Sequence, residues 1–272
     1  MLPRARRLRR GLRARLRGPS LKRALAFGRL FLFEPARAAE ACLSVEALPD
    51  GLKVYAVWIA ASLLSFWMKP FDFPDINAAV AAPVQDLAFW SKVAVWEPVL
   101  AALNIALTTL VLHWMREGWL PLKTAAATLW SAFPLILTIS LTRSAIGKPL
   151  FSLLFLLWAV PGALVARRIP RAQWRHVTSF LLGINAVAIV LLLPQAAAAV
   201  LRSEVLYKAS LVLTVVWLLA CGGVGLKSLT KTSLPRAVLA FLFANLALNV
   251  ALMAAYQLGW LPLEVLKVLV YV

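Results

Sequence analysis

Seven blocks of nearly uncharged, apolar residues dominate the chain, at 52–68, 98–115, 122–142, 149–166, 177–201, 206–226 and 238–258. None alternates with the period of two that a half-buried strand requires. An α-helix rises 1.5 Å per residue, so about 20 such residues cross a hydrocarbon layer of about 30 Å. The pattern therefore predicts an all-α, polytopic transmembrane helical bundle of about seven spans. Most connections are short, which makes neighbouring spans antiparallel hairpins. The block at 149–166 is short and contains Pro161-Gly162. It reads either as a full crossing or as a re-entrant hairpin made with part of its neighbour.

The chain before the first block has a different texture. Ala5, Leu8, Leu12 and Leu16 fall on one side of a helix, with arginines around the rest, while Gly11 and Gly18 weaken it. This predicts a basic arm that becomes helical on a membrane. Residues 21–49 mix apolar and charged positions, with Pro35 suited to the first turn of a short helix. That stretch is expected to lie at the membrane interface rather than cross it. Three regions follow: a basic tail with its interfacial segment at 1–50, the bundle at 51–260, and a short C-terminal tail at 261–272.

Charge sets the orientation. With the N-terminus cytoplasmic and seven spans, the inside segments hold 22 of the 29 Lys and Arg and the outside segments 7. Cytoplasmic loops carry the excess of basic residues, so the C-terminus is expected outside. Trp67, Trp90, Trp96, Trp114, Trp119, Trp174 and Trp260 all fall near predicted span ends, where an indole is stable at the interface. The loop at 69–92, with Asp72, Asp75 and Asp86, is the largest extramembrane feature apart from the tail.

Composition then narrows the chemistry. Hydrophobic residues make up 62% and charged residues 15%, against about 25% charged in soluble domains, so lipid must be the solvent. Residues 1–33 carry eleven Lys or Arg and no carboxylate. Such a run binds phosphates, and because it feeds a hydrophobic body the nearer phosphates are anionic lipid headgroups, ahead of nucleic acid. Arg4, Arg6, Arg7, Arg9, Arg10, Arg13, Arg15 and Arg17 are the candidate lipid-contact residues. No cleavable signal pattern is evident at this end. The Arg-rich, acid-free start also leaves an organelle transit peptide open, although it is poor in Ser.

No catalytic residue, cofactor site or metal site emerges. The two histidines, His113 and His176, and the two cysteines, Cys42 and Cys221, lack metal-ligand spacing. Neither a nucleophile elbow nor a phosphate loop occurs, and no carboxylate falls inside a predicted span. Glu97, just before Pro98, is expected to cap the second span. Cys42, near the membrane surface, is either an acylation site or a buried thiol. The glycines of Cys221-Gly222-Gly223-Val224-Gly225 read as a close-packing site.

Polar residues within spans are expected to hold helices together. Asn245 and Asn249 share a face of the last span, flanked by Ala240, Ala244, Ala251 and Ala255. Asn104 and Thr108 make a similar pair on the second, and Asn185 stands alone on the fifth. Small residues permit close approach, and amides can bond across helices. These faces are expected to point into the bundle. A permease would use the same residues to line a polar path, and Pro134, Pro161 and Pro194 interrupt three spans, as transporter helices do.

Three stretches resemble the bacterial branch of the Yip family, membrane proteins named for interaction with Ypt/Rab GTPases. They are Leu30-Phe31-Leu32-Phe33-Glu34-Pro35-Ala36-Arg37-Ala38; Glu117-Gly118-Trp119-Leu120-Pro121-Leu122-Lys123 with Phe133-Pro134; and Val216-Trp217 through Gly225-Leu226-Lys227 to Ser233-Leu234-Pro235-Arg236-Ala237. The resemblance implies five spans as a minimum, a cytoplasmic N-terminus and a non-enzymatic membrane organiser. The stretch from Arg143 to Arg202 would then be an addition of about two spans. The family's Asp-Leu-x-Gly-Pro segment is absent, so GTPase binding is not implied. The sequence thus leads to a Yip-like scaffold in a bacterial inner membrane, partnered by membrane lipids and by a membrane protein or further copies of itself. A permease or the membrane subunit of a transport complex is the alternative.

Overall fold

The computed structural model describes residues 20–68, 87–143, 146–263 and 265–266. The helices are α1 (Ser20–Phe33), α2 (Pro35–Ala41), α3 (Ala47–Met68), α4 (Leu87–Met115), α5 (Leu120–Thr142), α6 (Lys148–Ala166), α7 (Arg171–Val200), α8 (Glu204–Thr230) and α9 (Leu234–Gln257). No strand occurs among the described residues. The seven helices α3 to α9 are long and apolar enough to cross a membrane, one for each block read from the sequence.

Their outward faces identify the solvent. α6 buries only Phe151 and Trp158, while Leu150, Leu153, Leu156, Leu157, Val160 and Leu164 stand exposed. Water would not tolerate such a surface on a folded monomer. Hydrocarbon does, and the chain is an integral membrane protein. Hydroxyls obey the same constraint: Thr109, Thr124, Thr138 and Thr142 each donate to the carbonyl four residues earlier in their own helix.

One open reading is decided and two helix starts correct the sequence reading. α6 runs continuously through Pro161-Gly162. At 1.5 Å per residue its 19 residues span about 28 Å, so a re-entrant hairpin is not needed. α4 begins at Leu87 and carries Pro98 inside it. Glu97 therefore lies within the helix and does not cap it; proline removes only one backbone bond, and the good helix formers on either side carry the helix through. α3 begins at Ala47, which brings Asp50 into an apolar helix. No carboxylate was expected on a span, yet Asp50, Glu97 and, at its very start, Glu204 lie on the helices long and apolar enough to cross.

The helices form two compact units. The first comprises α1, α2, α3, α7 and α8. Residues 21–49, expected along the interface, are built into its core: Phe31, Ala38 and Ala39 are fully buried and Phe27 nearly so. Pro35 occupies the first turn of α2 as expected. Phe27 and Phe31 stand one turn apart on α1 with ring centroids 5.1 Å apart, edge to face, and Phe31 meets Phe180 of α7 at 5.2 Å. Glycine makes room for these rings. A Cβ on Gly183 would sit 2.5 Å from the ring of Phe31, and one on Gly225 of α8 would sit 2.1 Å from Phe180. Gly51 of α3 likewise brings its helix against the backbone of α7, where a Cβ would lie 3.0 Å from the Ser179 carbonyl. In lipid, where burial of apolar surface supplies little drive, such ring-into-glycine packing is what associates helices.

The second unit comprises α4, α5, α6 and α9. Its small-residue helix is α9, where Ala240, Ala244, Ala247 and Ala254 are fully buried. Ala244 and Ala247 pack with Leu107 and Trp158, and Ala254 packs with Leu137 and Phe151. Of the four alanines named from the sequence, Ala251 and Ala255 are only half-buried; the buried stripe turns instead through Ala247 and Ala254. Arg236 in the first turn of α9 donates to the carbonyls of Met115 and Gly118, closing the C-terminal end of α4. The Met115 carbonyl, the last of α4, has no partner within the helix, so the guanidinium satisfies it, complements the helix dipole and also ties down the following loop at Gly118.

α5 and α6 are joined by a reciprocal latch. Trp130 and Trp158 stack at 4.8 Å with 20° between their planes. The Trp158 indole donates to the Trp130 carbonyl at 2.7 Å, and the Trp130 indole to the Trp158 carbonyl at 3.4 Å. Trp158→Phe keeps most of the ring and removes the shorter bond, so it is expected to lower stability by about 1 kcal/mol. Trp130→Phe removes the longer, weaker bond and is expected to cost less. Thermal melting of both variants in one detergent measures the order.

Candidate functional site

The structure distributes the residues singled out from the sequence unevenly. Arg4, Arg6, Arg7, Arg9, Arg10, Arg13, Arg15 and Arg17 lie outside the described residues, as does the acidic part of the loop at 69–86. The polar pairs are described, and their bonds run along helices. Thr108 is fully buried, and its hydroxyl donates to the Asn104 side-chain carbonyl at 3.1 Å within α4. The Asn245 amide donates to the Phe241 carbonyl at 2.8 Å and the Asn249 amide to the Asn245 carbonyl at 2.9 Å. Asn249 is exposed and Asn245 half-buried.

The expectation that both asparagines of α9 face the bundle is therefore corrected for Asn249. An Asn amide on a helix reaches its own i−4 carbonyl, which has a free lone pair, and so satisfies itself without a partner helix. Asn185 behaves alike, donating to Leu181 and Leu182. Gln195 of α7, which the sequence did not single out, does bond across helices, donating to Thr214 of α8 at 3.2 Å. Gln195 follows Pro194.

Cys42 follows α2 and is wholly buried. Burial in apolar surroundings pushes its thiol well above the ordinary range, because the thiolate would lose its solvation. Of the two roles left open for it, this geometry favours the buried thiol. A maleimide is expected to leave Cys42 unmodified in native membranes, even at mildly alkaline pH, and to label it fully once SDS unfolds the chain. Rapid labelling in native membranes would mean that the α2 packing opens.

The strongest electrostatic feature among the described residues is a four-membered ion cluster between α1 and α3. Asp50 of α3 is 2% exposed. The Arg23 guanidinium of α1 reaches it through Nε at 2.8 Å and reaches Glu46 through Nη1 at 3.1 Å, while Lys53 stands 3.9 Å from Asp50 on the next turn. Arg23 thus bridges α1 to α3, and the two helices pack along one another. A second pair, Glu34 with Arg37, closes the turn from α1 into α2.

The sequence signal for this cluster was available but weak. Arg23, Glu46, Asp50 and Lys53 all stand in a mixed segment that reads as interfacial, and nothing in one dimension pairs positions 23 and 50. The cluster holds no nucleophile and no proton-relay partner such as histidine. Its chemistry is that of a lock: a buried carboxylate held by a half-buried guanidinium fixes one geometry. Among the described residues no group of three His, Cys, Asp or Glu is placed to hold a metal ion. Comparison of the chain with protein-family models, with curated proteins and with solved structures finds no match.

Proposed function

We propose that this integral membrane protein is a non-enzymatic membrane organiser of Yip-like type, working in a bacterial inner membrane with its N-terminus cytoplasmic. Its basic arm engages anionic lipid or an acidic partner, while its helices hold that arm at the bilayer. The observation that carries this reading is the built stem beneath the arm. Residues 1–17 stand two positions before α1 in the chain, and α1 is fixed by Phe27 and Phe31 in the Gly183 socket and by Arg23 on Asp50. An arm whose eight arginines only decorated the surface would need no such anchorage. With α1 anchored, eight arginines close before it in sequence put a high charge near the bilayer, where each contributes about 1 kcal/mol toward an anionic surface.

The permease reading depends on a polar path lined by Asn104, Asn245 and Asn249. The amides of both α9 asparagines are already donated to their own helix, and Asn104 accepts from Thr108. Both features support the organiser over the permease.

The test is cross-linking in native membranes, followed by identification of cross-linked proteins and lipids, for the full chain and for a chain lacking residues 2–17. The organiser reading expects a set of partners or anionic lipids that is lost on deletion and weakened by salt, with insertion unchanged. An identical, salt-insensitive set in the two chains would remove the role assigned to the arm.

A further inference from the structure

Within the second unit, α4, α5 and α6 leave a cleft of about 170 Å³, lined by Leu110, Val111, Trp114, Ala126, Ala127, Trp130, Pro161, Gly162 and Val165. Every wall residue is apolar or glycine except for the two indole nitrogens, and that of Trp130 is donated to the Trp158 carbonyl. Water needs two to four polar partners and would find too few here. A hydrocarbon chain needs none.

The mouth of the cleft is basic. Lys123 lies one turn before Ala126 and Ala127 on the same face of α5, and its Nζ sits 4.5 Å from the ring centre of Trp114, itself a wall residue. The wall segments fall in the last turns of α4 and α6 and the early turns of α5, so the connections at 116–119 and 167–170 leave from the same end. Residues 116–123 and 167–171 hold five Lys or Arg against one carboxylate, Glu117. None of the five makes an ion pair among the described residues. An unpaired cation over an indole at the rim of a dry apolar slot matches a molecule with an acidic head and a hydrocarbon tail.

We propose that this cleft binds one anionic phospholipid, its acyl chain lying between α4, α5 and α6 and its phosphate held by Lys123. Arg116, Arg167 and Arg168 supply the surrounding positive field. The site is separate from the basic arm and does not depend on the role assigned to it. It sets this unit's orientation toward the leaflet richer in anionic lipid, because the head must reach Lys123 while the chain fills the slot.

The test uses the full chain in phosphatidylcholine nanodiscs containing a trace of phosphatidylglycerol with a diazirine on its acyl chain. After irradiation, label is expected on peptides carrying residues 110–114, 126–130 and 161–165. It should exceed by about fivefold the label from phosphatidylcholine bearing the same chain, the discrimination of one Lys beside an anionic headgroup. Lys123→Gln is expected to bring the two probes level, and Lys123→Arg to keep the preference. Gly162→Leu leaves the charge in place and fills the slot: a Cβ there meets nothing nearer than Leu110 Cδ1 at 3.7 Å, so the added carbons occupy the cleft. It should remove label from these peptides with both probes while label on the outward leucines of α6 persists, which also reports that the fold is intact. Equal labelling of the wild-type cleft by the two probes, a preference untouched by Lys123→Gln, or full labelling of Gly162→Leu would each overturn the proposal.

Discussion

Gly225→Ala is expected to lower stability by about 3 kcal/mol, at the upper end for overpacking a tight core. The added Cβ would stand 2.1 Å from Cζ and 2.2 Å from Cε2 of Phe180, so something must move. Phe180 has nowhere to go: it is fully buried and its ring lies 5.2 Å from that of Phe31. α8 must therefore back away from α7. The matched control is Gly162→Ala, where the new Cβ makes ordinary contact; it is expected to be neutral or slightly stabilising, because alanine is the better helix former. Shortening the ring should relieve the clash, so Phe180→Leu combined with Gly225→Ala is expected to be more stable than the sum of the two single changes predicts, by at least about 1 kcal/mol. Thermal unfolding in detergent, followed by circular dichroism and by the monodisperse peak on gel filtration, gives all four values. A Gly225→Ala protein that melts with the wild type would show that the ring does not seat on this glycine.

The second large effect lies at the foot of the arm. Arg23→Met leaves the Asp50 carboxylate buried with only Lys53, 3.9 Å away, to answer it. Removing one partner of a buried pair costs about 3–5 kcal/mol, because the remaining charge loses its compensation. The lower end is expected here, since Arg23 is partly exposed and Lys53 stays near. Asp50→Leu is milder, because Arg23 keeps Glu46 at 3.1 Å. The double variant, Arg23→Met with Asp50→Leu, is expected to recover much of the loss. If the double variant is as unstable as Arg23→Met, the pair contributes through packing and not through charge. Because Arg23 belongs to the stem of the arm, Arg23→Met should also expose residues 20–33 to limited proteolysis while the helices of the second unit stay protected.

The sequence carried the architecture because hydrocarbon imposes a one-dimensional rule. Each spanning helix must satisfy its own backbone and show lipid an apolar surface, so length and hydropathy located all seven spans. Helix ends were less legible. Pro98 looked like a start and is an interior residue, because one missing backbone bond does not end a helix flanked by good formers. Pro35, at the first turn of a short helix after Glu34, was read correctly since nothing competes with proline's preference there. The glycine cluster before Leu226 was legible as a packing site, but the ring that fills it was not, since Phe180 stands 45 residues away.

Polar residues divided along the same line. Asn245 and Asn249 looked like interhelical glue because spacing alone cannot say whether an amide turns outward or onto its own backbone. Arg23 and Asp50, 27 residues apart, and Trp130 and Trp158, 28 apart, make the strong links between helices, and only packing brings them together. The sequence by itself thus determined how many helices are long and apolar enough to cross the bilayer, where they run and which end carries the charge, since each follows from the solvation of individual segments. Which side chains lock one helix to another, and where a cleft is left between them, was decided by tertiary structure, because those are properties of pairs of surfaces that no single segment contains.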